Sequence, residues 1–178
     1  MSTNNEELLV FTIGHSTRSL EELVELLKAH DIQEVIDVRT LPGSKHNPQF
    51  NKEGLAEFLK KHKIDYVHMK SLGGLRKPSK DSVNTGWKAS SFRGFADYMQ
   101  TSKFLSAIET LIEIAKNKRL ALMCAEAVPW RCHRNLIADA LVVRNVRVEH
   151  IISASEVKDH KMTSFARVDN TSITYPES

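Results

Sequence analysis

The 178-residue chain is poor in the features that mark covalently stapled, irregular or membrane-spanning proteins. Its two cysteines, Cys124 and Cys132, are too few for a disulfide framework, and seven glycines and five prolines exclude a collagen-like or low-complexity chain. No apolar run approaches the roughly 20 residues of a membrane-spanning helix, and the first ten residues do not resemble a secretion signal. These absences predict one globular domain in the cytoplasm, with reduced thiols and no membrane partner.

The net charge of +3 is distributed unevenly along the chain. From Arg39 to Arg93 there are twelve lysines and arginines against four acidic residues, whereas the remainder is acidic on balance. Such a basic segment favours an anionic partner, either a phosphate-bearing small molecule or a nucleic acid. The cluster Lys60, Lys61 and Lys63 is more typical of a solvated surface, so the basic residues in loops are the better candidates.

Short apolar runs alternate with helical patterns, which predicts parallel strands joined by helical crossovers. Ser19 and Glu22 form a capping box before the first helix. We expect an α/β fold, a single domain over residues 1–152 with a mostly parallel five-stranded sheet and helices on both faces. Residues 153–178 are polar and predict a tail or a strap over the core. The predicted strands are Leu8–Ile13, Val35–Val38, Tyr66–Met69, Leu120–Met123 and Val146–Ile152.

The loops that follow these strands carry most of the residues capable of chemistry. In open α/β sheets such loops meet at the carboxyl ends of the strands, where ligands bind. The sequence therefore predicts one site from scattered residues. The loops are residues 14–18, 39–50, 71–91 and 125–131.

The segment from Cys124 to Arg134 runs from a strand end, across a loop, into a helix. Free N–H groups at a helix N-terminus lower the pKa of a thiol, and Arg131, His133 and Arg134 would add positive charge. Cys124 is thus a candidate nucleophile or a sensor of oxidants. A buried structural role for Cys124 or Cys132 is the alternative, because cysteine is often buried.

Two further residues are candidates for proton transfer, with structural alternatives. Glu126 can accept a substrate proton or pair with an arginine. His15 follows Gly14 at a strand end and is either a proton carrier or a packed capping residue. Asp37 lies within an apolar strand, so we expect it to hold an arginine or to cap a loop.

Candidate anion-binding residues lie in the same loops. Hydroxyl, ammonium and guanidinium groups bind phosphate, and the paired glycines allow close approach of the backbone to a ligand. No triphosphatase phosphate loop is present. The predicted anion-binding residues are Arg39, Ser44, Lys45, Gly73, Gly74, Arg76, Arg131 and Arg134.

The spacing of cysteines and histidines does not match that of a zinc site. Cys124, Cys132, His133 and His15 are soft ligands, but adjacent Cys132 and His133 cannot easily share one ion. The sequence predicts no metal site and leaves the cofactor unknown.

Several of these motifs occur together in an order that resembles a known family. They are Thr12–Ser16, Asp37–Arg39 followed by Pro42, Leu72–Gly74, Cys124–Glu126 and Cys132–Arg134. In this order they resemble the family called domain of unknown function 488, over about Phe11 to Ile152. The resemblance implies a bacterial or archaeal cytoplasmic α/β protein and names no activity. Lys45 departs from the arginine expected there, which would replace a two-pronged guanidinium contact by a simple charge.

Three functions are compatible with these residues. The first is an enzyme acting on a phosphate-containing nucleotide or nucleic acid, with Cys124, Glu126, His133 and His15 as catalytic residues. The second is a non-catalytic nucleic-acid-binding protein whose interleaved aromatic residues stack on bases. The third is a thiol redox sensor in which Cys124 and Cys132 form a disulfide, which requires the loop between them to fold back. The aromatic residues in question are Tyr66, Trp87, Phe92 and Phe95.

Overall fold

A computed structural model describes residues 7–43 and 45–177. Six strands form its main sheet: β1 Leu8–Gly14, β2 Glu34–Asp37, β3 Asp65–His68, β4 Leu120–Cys124, β5 Val146–Ile151 and β6 Val157–Asp159. Their spatial order is β3-β2-β4-β1-β5-β6. Strands β1 to β5 are parallel, and β6 pairs antiparallel with β5. The α/β prediction is confirmed, but the sheet has six strands rather than five.

Strand β6, which the sequence did not predict, is the shortest strand of the main sheet. Strand β6 has three residues, two of them charged and exposed, so it carries almost none of the apolar pattern from which strands are predicted. Its hydrogen bonds to β5 define it instead. A three-residue antiparallel edge strand with charged side chains is a common way to end a sheet without exposing a long unpaired edge.

Five helices cover the two faces of the sheet: α1 Leu20–Ala29, α2 Lys52–Lys61, α3 Ser90–Tyr98, α4 Ser102–Asn117 and α5 Arg134–Val142. The capping box is present, with Ser19 accepting from the Glu22 backbone and the Glu22 side chain accepting from the Ser19 backbone. A separate short 3-10 turn, Pro129–Arg131, precedes helix α5. None of the described helices combines the length and apolar character needed to cross a membrane.

Each face of the sheet has its own apolar core. Alternate residues of β4 divide between them: Leu122 and Cys124 pack with α3, α4 and α5, whereas Met123 packs with α1 and α2. All five residues of β4 are buried, which agrees with its continuous apolar sequence. The sheet is therefore packed tightly on both faces where β4 ends at Cys124.

The C-terminal residues pack onto the core formed with α3, α4 and α5. A hairpin of β7 Arg167–Asp169 and β8 Ser172–Thr174 is followed by Tyr175, which is fully buried. The Tyr175 hydroxyl donates to Asp139 of α5 at 2.8 Å. This segment therefore packs over the core, to which Ile173 and Tyr175 contribute.

A buried hydrogen-bonded series joins this segment to the sheet. The Thr12 hydroxyl lies 2.6 Å from Nδ1 of His150, whose Nε2 is 2.9 Å from Nδ1 of His160. Nε2 of His160 lies 2.7 Å from the Asp139 carboxylate. This series links Thr12 of β1 through two imidazole rings to Asp139 of α5.

Candidate functional site

A cavity of about 470 Å³ lies at the carboxyl ends of β1, β2 and β4. The strand ends are joined there by backbone hydrogen bonds, from His15 to Cys124 at 2.9 Å and from Val38 to Met123 at 3.0 Å. This is the edge of a parallel sheet at which ligands bind. The side chains that leave β1, β2 and β4 therefore meet around one space.

The structure brings most of the predicted site residues into the wall of this cavity. Those lining it are His15, Arg39, Gly74, Cys124, Glu126, Arg131 and His133. Others that line the cavity were not predicted, since loop residues of ordinary type carry no sequence signal for a site. These are Thr40, Asn47, Ser91, Phe92 and Cys132, the last of which the sequence favoured only as a structural or redox residue.

Cys124 and Cys132 form a pair of reduced thiols at the inner end of the cavity. Burial by itself raises the pKa of Cys124, but a hydrogen bond from Cys132 and the charge of Arg134 outweigh it and lower that pKa. The same contact with Cys124, together with burial, raises the pKa of Cys132. Cys124 is therefore the more acidic of the two thiols.

Arg134 is the buried cation behind these thiols. Its side chain is 1% exposed, and one of its terminal nitrogens donates to the Ala127 carbonyl at 3.1 Å. The other terminal nitrogen and Nε have no hydrogen-bond partner among the described residues. A buried guanidinium favours nearby negative charge, which is why Arg134 lowers the pKa of Cys124.

Arg39 lines the cavity wall and is held by several fixed contacts. Its Nε and one terminal nitrogen donate to the two oxygens of Asp37 at 2.9 and 2.7 Å. That terminal nitrogen also donates to the Phe50 carbonyl at 2.8 Å, and the Tyr66 hydroxyl donates to Asp37. Asp37 thus holds an arginine, as predicted, and fixes the direction of its guanidinium.

His15 carries a free lone pair towards Arg39. Its Nδ1 donates to the Ser16 carbonyl at 2.9 Å, which leaves Nε2 unprotonated and 3.4 Å from Arg39. The ring stacks on Phe50 with 4.2 Å between centroids. Burial, aided by the positive charge of Arg39, lowers the pKa of His15 to about 4. The imidazole is therefore a neutral base at physiological pH.

His133 is held by two carbonyl groups. Its Nε2 donates to Val38 and Leu72, each at 2.9 Å, and its Nδ1 lies 3.6 Å from Sγ of Cys132. Burial lowers the pKa of His133 to about 4 despite these carbonyls. The side chain is thus placed to orient Cys132.

Two glycines allow the loops to pack this closely. A Cβ on Gly14 would lie 1.8 Å from the Glu126 carbonyl oxygen, and one on Gly74 would lie 2.6 Å from Nδ1 of His133. Both contacts are far below van der Waals distance, so neither position can hold a larger residue without displacing its neighbour.

The rim of the cavity carries one acidic residue, Glu126, and one basic residue, Arg131. The Glu126 carboxylate accepts from the Val128 backbone at 3.3 Å, which stabilises the turn after β4. Arg131 is exposed and makes no hydrogen bond through its guanidinium with the described residues. Arg131 is therefore a cation available to a ligand at the entrance.

Several predicted anion-binding residues lie outside this cavity. Arg76 stacks over the Tyr98 ring at 3.6 Å and donates to the Gly73 carbonyl at 3.2 Å. Gly73 packs against Thr40, and Lys45 is exposed and does not line the cavity. Arg134 lies buried behind the thiols rather than in the wall. Ser44 lies outside the described residues.

Metal-binding groups do not cluster in the part of the chain that the structure describes. Over residues 7–43 and 45–177, no three His, Cys, Asp or Glu side chains come together as metal ligands.

Comparison with known families agrees with the motifs. A family model described as Domain of unknown function DUF488 matches residues 19–141, and the chain belongs to this family. The matched region includes Arg39, Cys124 and Arg134, and ends before His150. Neither the curated proteins nor the solved structures that were compared contain a match.

Proposed function

We propose that the chain is an enzyme acting on a phosphate-containing substrate, with Cys124 as its thiolate nucleophile. The observation that carries this proposal is the buried Arg134 guanidinium behind Cys124 and Cys132, with two nitrogens that have no partner among the described residues. Ionisation of Cys124 balances that charge. A thiolate, rather than a thiol, is the nucleophilic form of cysteine.

The lining of the cavity supports an anionic substrate. Arg39 is fixed by Asp37 and faces the cavity wall, and Arg131 stands exposed at the rim. Planar guanidinium groups match the oxygens of a phosphate in pairs. A cavity of about 470 Å³ also falls within the range of small-molecule sites.

The proposed reaction has two steps. Sγ of Cys124 attacks the electrophilic phosphorus, so that a sulfur–phosphorus bond forms as the bond to the leaving group breaks, and the leaving group takes up a proton from solvent. Water then releases phosphate from Cys124 and restores the thiolate. His15 Nε2, which is unprotonated, accepts the proton from that water, and Glu126 at the rim is the second candidate base. Cys132 donates its S–H to Cys124, and His133 packs beside Cys132 with Nδ1 3.6 Å from its Sγ.

Protection from alkylation tests this proposal. We expect iodoacetamide to modify Cys124 at neutral pH, and inorganic phosphate to slow this reaction by occupying the cavity. Arg131→Gln should weaken the protection several-fold, whereas Lys45→Gln should leave it unchanged, because Lys45 does not line the cavity. Mass spectrometry of the modified peptide measures the rate. Absence of protection by phosphate and by every nucleotide of a panel would contradict a phosphate-containing substrate.

Nucleic-acid binding has no comparable support, because the aromatic residues expected to stack on bases are engaged within the protein. Phe95 is fully buried, and Trp87 packs edge-on against Phe92 with 5.1 Å between centroids. Tyr66 donates its hydroxyl to Asp37. Exposed lysines alone are typical of a solvated surface.

The hydrogen-bonded thiols favour redox chemistry as a second candidate function. The Cys124 thiolate attacks a peroxide oxygen, giving a sulfenic acid and the reduced oxidant, and Cys132 then displaces water to form the disulfide. We expect mild peroxide to lower the mass of the protein by two hydrogens. Cys132→Ser should instead accumulate the sulfenic acid on Cys124. A wild-type protein that gains oxygen without forming the disulfide would exclude this function.

A further inference from the structure

A second cavity, of about 650 Å³, lies next to the first one. Consecutive residues divide between the two spaces, because Pro129 and Trp130 line the second cavity and Arg131 and Cys132 line the first. The second cavity belongs to neither the thiol pair nor Arg39. Its wall consists of Trp87, Pro129, Trp130, Asn135, His150, Lys158, Asp159, His160, Lys161 and Thr163.

Two tryptophans give this cavity aromatic surface. The indole of Trp130 is 59% exposed, which is unusual for so large an apolar side chain. Trp87 is half-buried and also lines the cavity, whereas its Nε1 atom is buried within the protein.

Positive charge lies beside these rings. Lys158 and Lys161 are exposed and form no ion pair with the described carboxylates, and the Lys158 ammonium lies 5.8 Å from the Trp130 ring centroid. The carboxylate of Asp159 is occupied by Arg147 at 3.0 Å. The lysine charges are therefore available to a ligand.

The two histidines of the inner wall are already engaged. Both nitrogens of His150 and of His160 are used in the series that runs from Thr12 to Asp139. The cavity thus offers two ammonium groups and aromatic surface to a ligand. A complementary ligand is flat, aromatic and anionic.

We propose that the second cavity binds a planar aromatic anion, with its ring against Trp130 and its anionic group beside Lys158 and Lys161. A nucleotide and an aromatic carboxylate share this chemistry. The site is independent of the reaction proposed for Cys124, although the 3-10 turn Pro129–Arg131 contributes to both cavities.

The two tryptophans make this proposal directly measurable. The chain contains no others, so both indole N–H signals in a nitrogen–proton NMR spectrum report on this cavity. We expect adenosine monophosphate or naphthoate to shift both signals saturably. Whichever of these two ligands binds more tightly shows whether the site prefers a phosphate or a carboxylate. Adenosine lacks the charge, and ribose phosphate lacks the aromatic ring. Each should bind at least about tenfold more weakly.

Variants separate this site from general attraction by a basic surface. Lys158→Gln combined with Lys161→Gln should weaken binding at least about tenfold, and Trp130→Ala should do the same while leaving the Trp87 signal for observation. Lys28→Gln, which removes an exposed lysine of α1, is the matched control and should bind normally. Equal shifts with ribose phosphate, or a Trp87 signal that responds to neither aromatic anion, would overturn the proposal.

Discussion

Replacing Arg134 by glutamine is expected to raise the pKa of Cys124 and to slow its alkylation at neutral pH by at least about tenfold, which corresponds to one pKa unit. The positive charge of the guanidinium lowers this pKa, and burial opposes it. Once the charge is removed, burial favours the neutral thiol. The pH dependence of the alkylation rate, followed at the Cys124 peptide, measures the change.

Two controls separate the charge of Arg134 from its bulk. Arg134→Lys keeps the charge, so we expect it to keep the pKa of Cys124 closer to the wild-type value than glutamine does. Arg144→Gln removes another partly buried arginine, whose terminal nitrogen donates to the Ala140 carbonyl. Alkylation of Cys124 should be unaffected by it. If a folded Arg134→Gln protein keeps the wild-type pH profile, the guanidinium does not stabilise the thiolate.

The protein is expected to lose stability steeply as the pH falls from about 6.5 towards 4. Burial lowers the pKa of His15 and His133 to about 4 and that of His150 to about 3, from an ordinary value of 6.5. In this window the unfolded chain binds protons at these residues while the folded chain does not. The stability they provide is fully present above pH 6.5 and is lost as the pH falls towards the folded values.

The steepness of this loss of stability follows from the number of protons that the unfolded chain binds and the folded chain does not. With three histidines the free energy of unfolding should fall by up to about 4 kcal/mol per pH unit near the middle of the window. That is a large part of the roughly 5–15 kcal/mol that stabilises a typical domain. Urea unfolding at a series of pH values measures the slope.

Matched variants assign the slope to buried histidines. His150→Gln should reduce it by about one third, because one of the three proton sites is removed. His62→Gln, at an exposed position just after α2, should leave it unchanged. A slope near zero between these pH values would contradict the assignment.

The regular elements were predictable because local sequence determines them. The apolar run of β4 is buried on both faces, and the Ser19–Glu22 capping box forms within four residues of chain. The residues at the ends of β1, β2 and β4 were predicted to converge because a parallel sheet places its carboxyl ends together. His15, Arg39 and Cys124 do line one cavity.

The direction of individual side chains was not predictable in the same way. Arg76 and Arg131 both lie near glycines or prolines in loops, yet Arg76 stacks on Tyr98 while Arg131 stands at the cavity rim. Arg134 was expected to face an anion and instead lies buried behind the thiols. Contacts between distant segments decide these directions, and a single sequence does not record them.

The sequence by itself determined the α/β class, the order of β1 to β5 along the chain and the strand-end position of Cys124, because periodicity and capping act over a few residues. Only the tertiary structure decided that Cys124 meets Cys132 beside a buried Arg134, and that Tyr175 closes onto Asp139. Those contacts join residues far apart in the chain or on different elements. Their formation depends on helix rotation and loop path, which are set by packing of the whole core.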